Sequence, residues 1–280
     1  MRWKDLRRSS NVRDLRGAGP SRPGMPISIG KGGGGLAVIA VLAIAYFLGG
    51  PDAVNQLLGG GGAPSSDSAP PLTANDEASQ FVASVLGSTE DVWGEIFAQS
   101  GATYYQPQLT LFDGEVSSAC GFATAAVGPF YCPSDRRVYL DTAFFRDLAK
   151  LGGPGEFAQA YVIGHEVGHH VQTLLGTGDR VREAQQRGDA NRVQVAMELQ
   201  ADCYAGVWAY HANRTNRILE PGDVEDALRA AEAIGDDRLQ RNAGRRVTPD
   251  SFTHGSSAQR QQWLGTGLKT GDPNACDTFR

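Results

Sequence analysis

From Asp76 onward the apolar positions change their spacing twice. In "EASQFVASVLGSTEDVWGEIFAQSG", Phe81, Val82, Val85 and Leu86 share one helical stripe, and Val92, Trp93, Ile96 and Phe97 share another. Gly87 and Ser88 lie between them, so the pattern predicts two short helices broken there. Alternation then takes over in "QLTLF" (108–112) and "RRVYLD" (136–141), as in half-buried strands. Between them "CGFATAAVGPFYC" reads as another extended piece, and Pro129 makes it an edge rather than a central strand. From Thr142 the helical period returns. "DTAFFRDLAKL" predicts a short amphipathic helix with Asp141 as N-cap. Further helices are expected over about 156–175, stopped by Gly176, then 191–213, 223–235 and 256–268. Helices, a small sheet and a helical bundle make an α+β domain.

The chain before Asp76 follows no such pattern. "LAVIAVLAIAYFL" (36–48) is uncharged, and from Gly32 to Gly50 the run is long enough to span a hydrocarbon core of about 30 Å. More than thirty residues precede the apolar run and no small-residue cleavage site follows it, which favours an uncleaved transmembrane anchor over a signal peptide. Four segments are therefore expected: a basic cytoplasmic N-terminus (1–31), an anchor (32–50), a flexible Gly/Pro/Ser/Ala linker (51–75) and a folded domain (76–280).

Charge bears on both ends of this scheme. Residues 1–31 carry eight Lys or Arg against two Asp, a net +6, which leaves −11 for the rest of a chain whose total is −5. The acidic body argues against nucleic-acid binding. The basic head places the N-terminus inside the cytoplasmic membrane and residues 76–280 outside it. Four cysteines and no Cys-x-x-Cys pair fit two disulfides in an oxidising compartment. Of three possible connectivities, Cys120–Cys132 would close a short loop and Cys203–Cys276 would pin the C-terminal tail; four buried free thiols are the alternative.

"VIGHEVGHHV" (162–171) carries the chemistry. On a helix His165 and His169 lie one turn apart on one face, and their imidazoles can converge on one tetrahedral ion. Glu166 is rotated by about 100°, which sets its carboxylate beside the metal as a base for bound water. His170 faces away and is read as structural. Position 175 is Leu, so no third histidine follows at the six-residue spacing. A third ligand must come from elsewhere, and "AMELQADCYAG" offers Glu198, with Asp202 one turn on to hold a ligand imidazole by its free N–H. In "SFTHGSSAQRQQWL", Ser256 could cap a helix. His254 and Arg260 could stabilise charge on a substrate oxygen, or be a turn residue and a surface charge.

"MRWKDLRRSSNV", "CGFATAAVGPFYCPSDRRVYLD", "GHEVGHHVQ", "ELQADCYAG" and "SFTHGSSAQR" together resemble the bacterial neutral zinc metallopeptidases, membrane-anchored proteins of gluzincin type. The resemblance covers nearly the whole chain. It implies a zincin-like domain, one Zn2+ on His165, His169 and Glu198, and Glu166 as catalytic acid and base. The E-x-x-A-D and T-H-x-S-x-x-x-R segments also look like those of integral-membrane zinc peptidases, which implies active-site roles for His254 and Arg260. By analogy "AVGPFYC" would pair with an extended peptide substrate. The alternative is a non-catalytic, zinc-stabilised peptide-binding module at the membrane surface; an intact Glu166 speaks against it.

Overall fold

The computed structural model describes residues 1–17, 76–186 and 190–279. The expected anchor and linker, and the end of the head, lie outside the described residues. Among the described residues no helix is long and apolar enough to cross a membrane.

The fold is mixed α and β, mostly helical with a small sheet. β1 (Val12–Asp14) precedes a 23-residue helix, α1 (Glu77–Gln99). Then come β2 (Gln108–Phe112), the hairpin β3 (Glu115–Ser118) and β4 (Gly121–Thr124), β5 (Phe130–Cys132) and β6 (Arg137–Asp141). Helices complete the chain: α2 (Ala143–Leu151), α3 (Glu156–Leu174), α4 (Thr177–Gln186), α5 (Ala190–Asn216), α6 (Asp223–Ala233), α7 (Asp236–Asn242) and α8 (Ser257–Thr270). The four-stranded sheet has the order β1-β2-β6-β5. β1, β2 and β6 run parallel, and β5 runs antiparallel to β6 at the end of the sheet. The position of β5 agrees with Pro129 just before it, since proline cannot donate to a central ladder. Leu109, Leu111, Val138 and Leu140 fill one core with the helices α1, α3 and α5.

Both expected disulfides form, Cys120–Cys132 and Cys203–Cys276, with Cα separations of 5.8 and 5.6 Å. Ser256 caps α8 in a capping box with Gln259. Asp141 lies one residue before the actual N-cap, Thr142, yet its carboxylate still accepts the Ala143 N–H at 2.8 Å.

Two expectations are corrected. The break at Gly87 does not occur; α1 runs straight through it. The glycine serves a different need, because a Cβ there would stand 2.3 Å from the Arg7 carbonyl oxygen. The missing side chain admits the N-terminal segment against the helix.

That segment is the second correction. Residues 1–17 are part of the domain and not a separate head. Trp3 is 2% exposed, donates its indole N–H to Glu156 at 3.0 Å and meets Phe81 edge-on. Arg7 binds Glu90 and Asp91, while Ser9 and Asn11 donate to the buried Glu90 at 2.6 and 2.7 Å. β1 then pairs with Leu109–Leu111 of β2, and Arg16 reaches Asp76, the N-cap of α1. The expected arrangement, with the head on one face of a membrane and residues 76–280 on the other, is incompatible with these contacts. Lys4, Arg7 and Arg16 pair with carboxylates of the domain.

Candidate metal centre

α3 and α5 cross at Gly168, the glycine inside "HEVGH". A Cβ there would stand 2.9 Å from the Ala201 carbonyl oxygen and 3.0 Å from its Cα. Only a glycine lets the two backbones approach this closely, and the approach sets Glu198 and Asp202 of α5 opposite His165 and His169 of α3.

Glu198 Oε2 lies 3.2 Å from His165 Nε2 and 3.4 Å from His169 Nε2. A tetrahedron with bonds of about 2.0–2.1 Å has edges of roughly 3.3 Å, so these separations are those of zinc ligands. The three donors lie within 4.8 Å of one another. The other imidazole nitrogens are engaged away from the centre. His165 Nδ1 is 2.8 Å from Asp202 Oδ1 and His169 Nδ1 is 2.9 Å from Gln172 Oε1. Both partners are acceptors, so each Nδ1 carries the proton and each Nε2 offers its lone pair to the centre.

The charges favour a cation. Burial opposes a proton on either imidazole, yet Asp202 beside His165 and Glu198 beside His169 outweigh it; both pKa values rise, that of His165 to about 10. Burial likewise opposes charge on Glu198, but the two imidazoles hold its carboxyl well below the usual range. A set that pulls positive charge inward this strongly suits a dication. Glu166 is 7% exposed, and burial raises its pKa above the ordinary carboxylate value.

The remaining expected site residues divide. His254 is half exposed in the turn before α8, and its charge is felt by both Glu166 and Glu198. Burial lowers its pKa, but Asp236 and Glu198 raise it on balance. Arg260 is 3% exposed. Its Nε and Nη2 each lie 2.9 Å from the two Asp202 oxygens, a bidentate clamp. Tyr161 donates to the same carboxylate at 2.6 Å. Asp202 thus links Arg260 to His165. His170, fully buried, is no ligand: Nε2–H donates to the Tyr105 carbonyl at 2.6 Å and Nδ1 accepts from Tyr131 of β5 at 3.1 Å.

Three residues escaped the sequence reading. Asp236 accepts the backbone N–H groups of Thr253, His254 and Gly255 at 2.7, 2.6 and 3.0 Å, and so builds the turn that carries His254. Its only signal was an acidic pair after Gly235. Gln172 and Gln194, one turn from His169 and Glu198, are hydrogen-bonded to them through neutral amides. Spacing could have found them; residue type did not flag them.

Asp202 gives a pH prediction. Burial opposes its charge, but Arg260 and His165 hold its pKa at about 2, below the ordinary 3.8. A depressed carboxylate contributes stability above its unfolded pKa and loses it as pH falls through the folded one. The metal-free protein should therefore lose melting temperature between about pH 4 and pH 2. A flat melting curve over that window contradicts the assignment.

The chain is 46% identical over 286 residues to the Escherichia coli (strain K12) protein "Uncharacterized protein YpfJ", covering 100% of this chain and 99% of that protein. It is 49% identical over 187 residues to "Uncharacterized protein Rv2575" of Mycobacterium tuberculosis (strain ATCC 25618 / H37Rv), covering 63% of each. No solved structure matches it significantly. The family model described as "Putative neutral zinc metallopeptidase" matches residues 1–279, and the chain belongs to that family.

Proposed function

We propose that the protein is a zinc-dependent peptidase holding one Zn2+ on His165, His169 and Glu198. The observation that carries this reading is the pairing of a three-donor centre, which leaves a fourth position open, with a buried carboxylate beside it, Glu166. A purely structural zinc is closed by a fourth protein ligand and has no use for an adjacent base. That distinction favours a hydrolase over a zinc-stabilised peptide-binding module.

A bound zinc supplies a water of lowered pKa and polarises the scissile carbonyl. The chain supplies the rest. Glu166 would take the proton of the attacking water and return it to the leaving amine. His254, held in its turn by Asp236, would donate toward the carbonyl oxygen as it gains charge. Asp202, clamped by Arg260 and Tyr161, keeps His165 in the liganding tautomer. The substrate in this reading is an extended peptide. β5 is assigned to it because that strand ends the sheet and is braced against α3 through Tyr131 and His170. The two disulfides support work outside the cytoplasm, where such bonds persist.

Glu198→Ala should lose zinc and peptide cleavage together, read by metal analysis and turnover of a mixed peptide library. Cleavage that survives loss of the metal overturns the proposal.

A further inference from the structure

His169 Nδ1 is the first member of a hydrogen-bonded line that leaves the metal centre and ends at the C-terminal tail. Gln172 Oε1 accepts from His169 at 2.9 Å. Gln172 Nε2 donates to the Met197 carbonyl at 2.8 Å and to Gln200 Oε1 at 3.0 Å. Gln200 Nε2 donates in turn to the Cys276 carbonyl at 3.0 Å. Cys276 is held by its disulfide to Cys203, five residues beyond Glu198 on α5. Both glutamines are buried, at 1% and 5% exposure, and so is Cys276.

The direction of this line is fixed by its ends. A backbone carbonyl can only accept, so Gln200 must turn its NH2 toward Cys276 and its oxygen toward Gln172. Gln172 must then donate to Gln200, and the Met197 carbonyl requires the same orientation. The oxygen of Gln172 is left to face His169, whose Nδ1 must carry the proton. The lone pair is thereby placed on Nε2, toward Glu198. A flipped amide anywhere in the line would set two donors or two acceptors against each other in a site too buried for water to relieve them.

We infer that Gln172 and Gln200 are positioning residues for the zinc ligand His169, and that the Cys276 carbonyl, pinned by the Cys203–Cys276 disulfide, is the far anchor of the line. The inference rests on His169 being a zinc ligand. It gives the disulfide a role in metal affinity besides fastening the tail. His165 and His169 are then held by different means: the first by a charged carboxylate clamped by arginine, the second by neutral amides running to the tail.

The test measures zinc affinity on the full chain by competition with a chelator of known strength, with near-ultraviolet circular dichroism to confirm folding. Gln172→Leu should weaken zinc roughly 10–100-fold, the usual effect of losing a partner behind a ligand. Gln200→Leu should cost less, since the Met197 carbonyl still orients Gln172. Removing the disulfide with Cys203→Ala and Cys276→Ala should cost about as much as Gln200→Leu, and the two losses should not add when combined. The visible spectrum of the cobalt-substituted protein should shift in the same order, which general loosening of the tail would not produce. Equal zinc affinity in folded Gln172→Leu and Gln200→Leu overturns the inference, as do additive losses. If zinc binds with these dependences and no peptide is cleaved, the peptidase reading fails and this one stands. If the unaltered chain takes up no zinc, both fail.

Discussion

Glu166→Gln should keep its zinc and lose peptide turnover by about 10²–10⁴-fold, the range assigned to a positioned acid or base. The substitution is nearly isosteric and leaves His165, His169 and Glu198 in place, so metal content should not change. KM should stay near its original value while kcat falls, because the carboxylate acts on the proton and not on peptide binding. The contrast with Glu198→Ala is the informative part: one variant loses chemistry and keeps the ion, the other loses both. A Glu166→Gln protein that cleaves peptides at the original rate removes Glu166 from the mechanism. One that loses zinc shows that Glu166 supports the fold of the centre instead.

The second large effect concerns the first seventeen residues. A chain starting at Asp76 should fail to fold to a stable domain. Glu90 is 2% exposed and takes hydrogen bonds from Arg7, Ser9 and Asn11. Stripping a buried charge of its partners costs about 3–5 kcal/mol. Loss of the Trp3 side chain alone costs a further amount on the order of 3–5 kcal/mol. Against a typical stability of about 5–15 kcal/mol the sum is decisive. Trp3→Ala is the graded version, with a melting temperature lower by roughly 10 °C in a domain of this size. A truncated chain that melts within a few degrees of the full one contradicts the assignment of the head to the core.

Much of the centre was legible because metal chemistry admits few residue types at few spacings. His165, His169 and Glu166 follow from one helical turn, and Glu198 with Asp202 from the next buried helix that carries carboxylates. Arg260 was singled out, but not its partner. Sequence shows a cation near the site; only the fold shows that Asp202 consumes it. Gly87 misled for a related reason. A glycine within a helical pattern reads as a break when nothing reveals the backbone that needs the space. β1 went unseen because three residues of parallel strand owe their existence to a partner nearly a hundred residues away, and no local period encodes that.

The contact between Arg16 and Asp76 bears on the route the chain takes between them. Residues 16 and 76 are brought together on one surface. The head also reaches its place late. It emerges first from the ribosome, but its partners at Glu90 and Leu109–Leu111 follow long after, so the N-terminus stays undocked until the chain has been made past residue 112. Any machinery that moves this protein across a membrane must deliver residues 12–16 and residues 76–112 to the same compartment before the sheet can close.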